Sequence, residues 1–128
     1  MNALLDTDIL IDHLRGVPEA KELLLELVAT GSPAISVITV AEIEAGTRDP
    51  EREQVEKLLS SLPGLPVDAA IARKAGHYRT QYAKTHGVLL PDALIAATAV
   101  LHGCKLYTLN SKHYPMDDIN VVVPYTKV

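Results

Sequence analysis

Asp6, Glu42, Asp92 and Asn110 each stand where the sequence pattern predicts a strand ending or a helix beginning. Three carboxylates and an amide brought to one edge of a fold form an oxygen-rich set, and oxygen donors favour a hard cation such as Mg²⁺ or Mn²⁺. Like charges within a few ångströms raise one another's pKa unless a cation neutralises them, so the cluster itself argues for a divalent ion. The chemistry open to such a set is metal-assisted hydrolysis. The sequence contains no Gly-rich phosphate loop, nucleophile elbow or paired-cysteine motif that would direct the reading elsewhere.

Each residue also has a structural reading. Asp6 follows the apolar run Ala3–Leu5 and could cap the helix beginning near Asp8, as could Thr7 and Asp8 themselves. Glu42 stands three residues after Thr39, the spacing of a capping box. Asp92 lies in the first turn of a helix, where the dipole favours an anion by about 0.3–1 kcal/mol. Its apolar neighbours make a bare carboxylate costly without a partner or a cation. Asn110 could simply start a turn after Thr108; in the functional reading its amide oxygen joins the metal shell, while Thr108 orients a neighbouring carboxylate or water. Since all four fall on the same predicted edge, the functional reading is preferred.

The elements that must position them alternate along the chain. Ala3–Leu5 reads as a strand, Ile9–Leu14 as a short helix closed by Gly16, and Pro18 opens a second helix ended by Gly31. In that helix Ala20, Leu23, Leu24, Leu27 and Val28 share one face, while Leu25 lies off it. Pro33–Ile38 reads as a strand, and Thr39 introduces a helix through Arg48. A charged stretch follows in which Val55, Leu58, Leu59 and Leu62 keep a packing stripe, broken by Pro63-Gly64-Leu65-Pro66. An amphipathic helix is expected from Asp68 to about His86, and Pro91–His102 is apolar on nearly all sides, the mark of a buried helix. Lys105–Thr108 and Asn120–Val123 complete the strands, the latter β-branched throughout its apolar part like a strand of a covered parallel sheet. The expected fold is α/β: a three-layer sandwich with a mostly parallel central sheet of four to five short strands, forming one domain over residues 1–128. In such sheets ligands bind outside the carboxyl ends of the strands, where the strand order reverses.

Composition narrows the partners. The net charge of −4 gives no global basic field for coating nucleic acid, so a phosphate substrate must be held locally. With five Tyr but neither Phe nor Trp, there is no evident platform for stacking single-stranded bases. Cys104 is the sole cysteine, which excludes an internal disulfide and a multi-thiolate zinc site and fits a reducing cytoplasm. No signal peptide or apolar run of spanning length is seen, so no membrane association is expected. Lys112 and His113 follow Asn110 closely enough to reach a substrate phosphate, although a solvated loop is an equal reading. Leu14, Val17 and Leu25 hint at apolar surface near the second helix, either a dimer seam, a partner groove or ordinary core.

Four blocks in order, Leu4–Asp12, Thr39–Ile43, Asp92–Ala99 and Thr108–Tyr114, resemble the motifs of PIN-domain ribonucleases of the VapC toxin type, and the resemblance covers nearly the whole chain. It implies a Mg²⁺- or Mn²⁺-dependent endoribonuclease, the toxin of a toxin–antitoxin pair, with RNA as substrate, a cognate antitoxin as partner and a homodimer as assembly. By the same resemblance Asp6 and Asp92 are the direct metal ligands, Glu42 acts through the metal shell or its water, and Asn110 stands where many relatives carry an acid. Two other classes share the length and the acidic pocket: a phospho-accepting receiver module, and a small phosphatase using Asp6 and Asp8. The first lacks adjacent acids after strand one and a well-placed Lys; the second lacks room for a cap domain.

Overall fold

The computed structural model describes residues 2–126. Five short strands form its sheet: β1 (Ala3–Leu5), β2 (Pro33–Ser36), β3 (Gly64–Leu65), β4 (Lys105–Tyr107) and β5 (Val121–Val122). Their order is β3-β2-β1-β4-β5, and every neighbouring pair is parallel. Six helices supply the crossovers: α1 (Thr7–Leu14) and α2 (Pro18–Thr30) after β1, α3 (Val37–Gly46) and α4 (Arg52–Ser60) after β2, and α5 (Ala69–His86) and α6 (Leu90–Leu101) after β3.

Alternation along the strands divides the core into two layers. Leu4 is in register with Ala34 on one side and Leu106 on the other, and all three pack with Ile71, Ala75 and Tyr78 of α5 and the buried face of α6. Ala3, Leu5 and Ile35 point the opposite way, onto Leu10, Leu27, Ile43, Val55 and Leu58 of the first four helices. The result is the expected three-layer sandwich. Helix α6 buries Ala93 and every residue from Ile95 to Ala99, as its nearly unbroken apolar sequence requires. Asp68 caps α5 by accepting from Ile71 N, and Gly87, at φ +65°, ends it in the left-handed conformation that glycine adopts at least cost.

Five local expectations are corrected. Strand β2 stops at Ser36 rather than Ile38, because the Ser36 side chain accepts from Ile38 N and starts α3 there. Thr39 is therefore inside the helix and not its cap, and Glu42 stands in its second turn. The Pro63–Pro66 break contains β3: Ile35 N donates to Pro63 O at 2.9 Å, and a two-residue edge strand tolerates flanking prolines that lack an N–H. Strand β5 is a half-exposed edge paired to β4 alone, not a covered strand. Val28 shares the expected α2 stripe but is 62% exposed, close to the 73% of Leu25, so α2 buries only Ala20 and Leu27 fully. Among the described residues no helix is long and apolar enough to cross a membrane.

If Ser36 rather than Thr39 caps α3, Ser36→Ala lowers the free energy of unfolding by about 1 kcal/mol, the usual cost of a lost N-cap. Urea denaturation followed by circular dichroism measures it; an unchanged midpoint would refute the assignment.

Candidate active site

The chain leaves β1 toward β2 and β3 on one side, then returns to place β4 and β5 on the other, so the strand order reverses between β1 and β4. A crevice opens at such a switch point beyond the carboxyl ends of the two strands. Asp6 stands there just past β1 and Thr108 just past β4, and the backbone ties the two strand ends: Asp6 N donates to Tyr107 O at 2.9 Å.

Asp6 is both a cap and a site residue. Its Oδ1 accepts from Thr7 N at 2.8 Å, starting α1. Its Oδ2 turns into the crevice and accepts from Thr108 Oγ1 at 2.7 Å and from Tyr114 Oη at 2.9 Å. A carboxylate has about four lone-pair sites, so these three donors leave room for one further electrophile.

Asp92 reaches the same place from the first turn of α6. Its Oδ1 lies 3.5 Å from Tyr114 Oη, and its Oδ2 lies 3.3 Å from Nδ1 of the exposed His113. Burial pushes its carboxyl up, as do Asp6 and Glu42, while His113 and Tyr114 oppose the rise. Asp92 therefore feels the charge of two of the other expected acids. Glu42 is exposed on α3; its Oε1 accepts from Thr7 Oγ1 at 2.7 Å, and Thr7 Oγ1 lies 3.0 Å from the buried Thr39 Oγ1. The Thr39–Glu42 pair forms no capping box: Thr39 instead anchors the hydroxyl that holds Glu42.

Asn110 faces Asp8 rather than the other acids. Its Nδ2 donates to Asp8 Oδ2 at 3.2 Å and its backbone N donates to Thr108 Oγ1 at 3.1 Å. Asp8 Oδ2 also accepts from Leu109 N at 3.0 Å, with Thr108 Oγ1 at 3.3 Å, whereas Asp8 Oδ1 is buried with no partner among the described protein atoms. Burial first, and Asp6 second, push the Asp8 carboxyl up to about 6. Thr108 thus stands between two carboxylates, Asp6 and Asp8.

The same architecture recurs in known proteins. The family model for the PIN domain matches residues 3–119. This chain belongs to the PIN domain family. Ribonuclease VapC10 of Mycobacterium tuberculosis (strain ATCC 25618 / H37Rv) is 44% identical over 114 residues, covering 88% of this chain and 86% of the relative. Ribonuclease VapC19 of the same strain is 40% identical over 115 residues, covering 88% and 92%. Among solved structures, a chain of a toxin–antitoxin complex from Klebsiella pneumoniae superposes with a TM-score of 0.81 at 34% identity, over 98% of this chain and all of that one (100%).

Within this PIN domain the acids are close enough to couple but not to chelate as they stand. No group of three or more His, Cys, Asp or Glu side chains among the described residues is gathered tightly enough to hold an ion. The donor set nonetheless fits one: every candidate ligand is an oxygen, and the Asp8 Oδ1 atom is an orphaned buried acceptor.

Thr7, Asp8 and Tyr114 went unassigned or underweighted by the sequence reading. Asp8 carries a signal, its two-residue spacing from Asp6 after a strand, but capping accounts for that spacing equally well. Tyr114 closes the Thr108–Tyr114 block of the resemblance but has no spacing of its own that marks a role. A single 3-10 turn over Ser111–His113 folds it back under Asp6, a geometry without sequence periodicity.

Because the folded Asp8 carboxyl ionises near 6 against an ordinary 3.8, its charge opposes folding. The penalty is absent below about pH 4, grows between about 4 and 6, and is complete above. Asp8→Asn should accordingly raise the melting temperature of EDTA-treated protein at pH 7.5 and lose that advantage by pH 4. An advantage independent of pH in calorimetry would contradict this assignment.

Proposed function

We propose that this chain is a metal-dependent endoribonuclease that hydrolyses RNA phosphodiester bonds, acting as the toxin of a toxin–antitoxin pair. One observation carries the reading: Asp6 and Asp92, far apart in sequence, meet the same Tyr114 hydroxyl at the switch point of a PIN fold, where Asp6 and Glu42 both push the Asp92 carboxyl up. Two relatives at 40–44% identity are named ribonucleases, and the Klebsiella pneumoniae neighbour at 34% identity comes from a toxin–antitoxin complex. The same kinship supports extending the reading to an antitoxin partner, a homodimeric assembly and a cytoplasmic location.

Asp6 and Asp92 would hold a Mg²⁺ or Mn²⁺ ion, with the Asn110–Asp8 pair beside them at the same crevice. When bound, the ion supplies Lewis acidity, lowering the pKa of water and offsetting charge on the phosphoryl oxygens. Glu42 is suited to accept the proton of the attacking water, since it is exposed and tethered only through Thr7. The water oxygen bonds to phosphorus, the P–O3′ bond breaks, and the leaving oxygen takes up a proton. The products carry a 5′-phosphate and a 3′-hydroxyl. Thr108 and the Thr7 backbone fix Asp6 throughout.

Asp6→Asn should abolish RNA cleavage while the circular dichroism spectrum stays native, and excess EDTA should silence the wild type. Full cleavage in either case would refute the scheme. Thr7→Val, which releases Glu42, is expected to lower the cleavage rate by about 10- to 100-fold, the usual cost of losing a residue that orients a metal-site group.

A further inference from the structure

Tyr114 is the one hydroxyl among the described residues that the hydrogen-bond pattern places between both candidate metal ligands. Asp6 does not need it for orientation, since Thr7 N at 2.8 Å and Thr108 Oγ1 at 2.7 Å already fix one oxygen each. A phenol has a single proton, and the shorter contact, 2.9 Å against 3.5 Å, assigns that proton to Asp6 Oδ2. The contact to Asp92 Oδ1 is the weaker of the two. The hydroxyl therefore serves Asp6 Oδ2 first and lies between the two carboxylate oxygens.

We propose that the Tyr114 hydroxyl competes with the divalent ion for Asp6 Oδ2: it stabilises the carboxylate pair when no ion is bound and must yield that lone pair when one binds. This rests on the metal-dependent reading above. Tyr114 is here a positioning residue that weakens cation affinity, in contrast to Thr108, whose bond approaches Asp6 from the β4 strand. The aromatic ring itself is a core element, 4% exposed and packed with the α5–α6 layer, so the hydroxyl can be removed without emptying the site.

Opposite signs distinguish this role from an ordinary buried hydrogen bond. In Tyr114→Phe, the melting temperature in EDTA should fall by a few degrees, as expected for one lost bond to a buried carboxylate. At the same time the dissociation constant for Mn²⁺, measured by titration calorimetry without RNA, should tighten by about 3- to 10-fold, the equivalent of one hydrogen bond. Tyr114→Met, which also lacks the hydroxyl, must shift Mn²⁺ affinity in the same direction and serves if the Phe variant folds poorly. Unchanged or weaker Mn²⁺ binding in the folded variants, with wild-type binding intact and lost in Asp6→Asn, would overturn the competition while leaving the metal site standing. Wild-type protein that binds Mn²⁺ no better than Asp6→Asn would overturn both.

Discussion

Negative charge held away from water is the constraint around which this molecule is arranged. Asp6, only 7% exposed, and the half-buried Asp8 and Asp92 converge where β1, β4 and α6 meet. An uncompensated carboxylate in such a place is costly, and the fold answers with donors instead of lysine or arginine. Two hydroxyls, a backbone amide from each of α1 and the loop after β4, and one side-chain amide point at Asp6 and Asp8, while Asp92 has the Tyr114 hydroxyl at 3.5 Å and His113 Nδ1 at 3.3 Å. Neutral donors lower the cost without cancelling the charge, so the pair Asp8 and Asp92 remains pushed up by burial and by neighbouring carboxylates. A site stabilised in this way keeps its appetite for a cation, whereas a site neutralised by buried ion pairs would not.

Topology makes the convergence possible. The hydrogen bonds that define the crevice join residues about a hundred positions apart, Thr108 to Asp6 and Asn110 to Asp8. Only the insertion of β4 beside β1, after the chain has already built β2 and β3 on the other side, brings them together. The two core layers then hold β1 and β4 rigidly, with Leu4, Leu5 and Leu106 fully buried within two residues of Asp6 or Thr108. Packing and chemistry are therefore neighbours in sequence: the strand supplies the fixed origin, and the next residue supplies the ligand.

Much of this was legible in the chain itself. Helix α6 is marked by its continuous apolar sequence, α5 by Asp68 and Gly87 at its ends, and β1 and β4 by short apolar runs closed by Asp6 and Thr108. Where the reading failed, two signals competed locally. Ser36 and Thr39 are both good caps; the Thr39–Glu42 spacing suggested a box, but Ser36 won because β2 needs only the residues that pair with β1 and β3. The same error displaced Glu42 by a turn without moving it from the crevice. Strand β3 was hidden by two prolines, since a two-residue edge strand has no alternation to detect. The roles of Thr7, Asp8 and Tyr114 depend on contacts across more than thirty residues, or across a hundred, which spacing cannot encode.

Capping and chemistry, set against each other when residues are weighed singly, are shared between the two oxygens of one carboxylate at Asp6. Oδ1 satisfies the first turn of α1, and that bond aims Oδ2 at β4 and Tyr114. Helix initiation thus sets ligand direction, with the helix acting as the jig. Glu42 is built the other way: it caps nothing, lies exposed on the second turn of α3, and is held by a hydroxyl that itself rests on Thr39. A rigid acid suits holding an ion, because a ligand's value depends on fixed distance. A loosely tethered, solvated acid suits exchanging protons with water, because it must accept and release them without disturbing the fold. That contrast in anchoring, more than the identity of the residues, separates the roles proposed for the two acids.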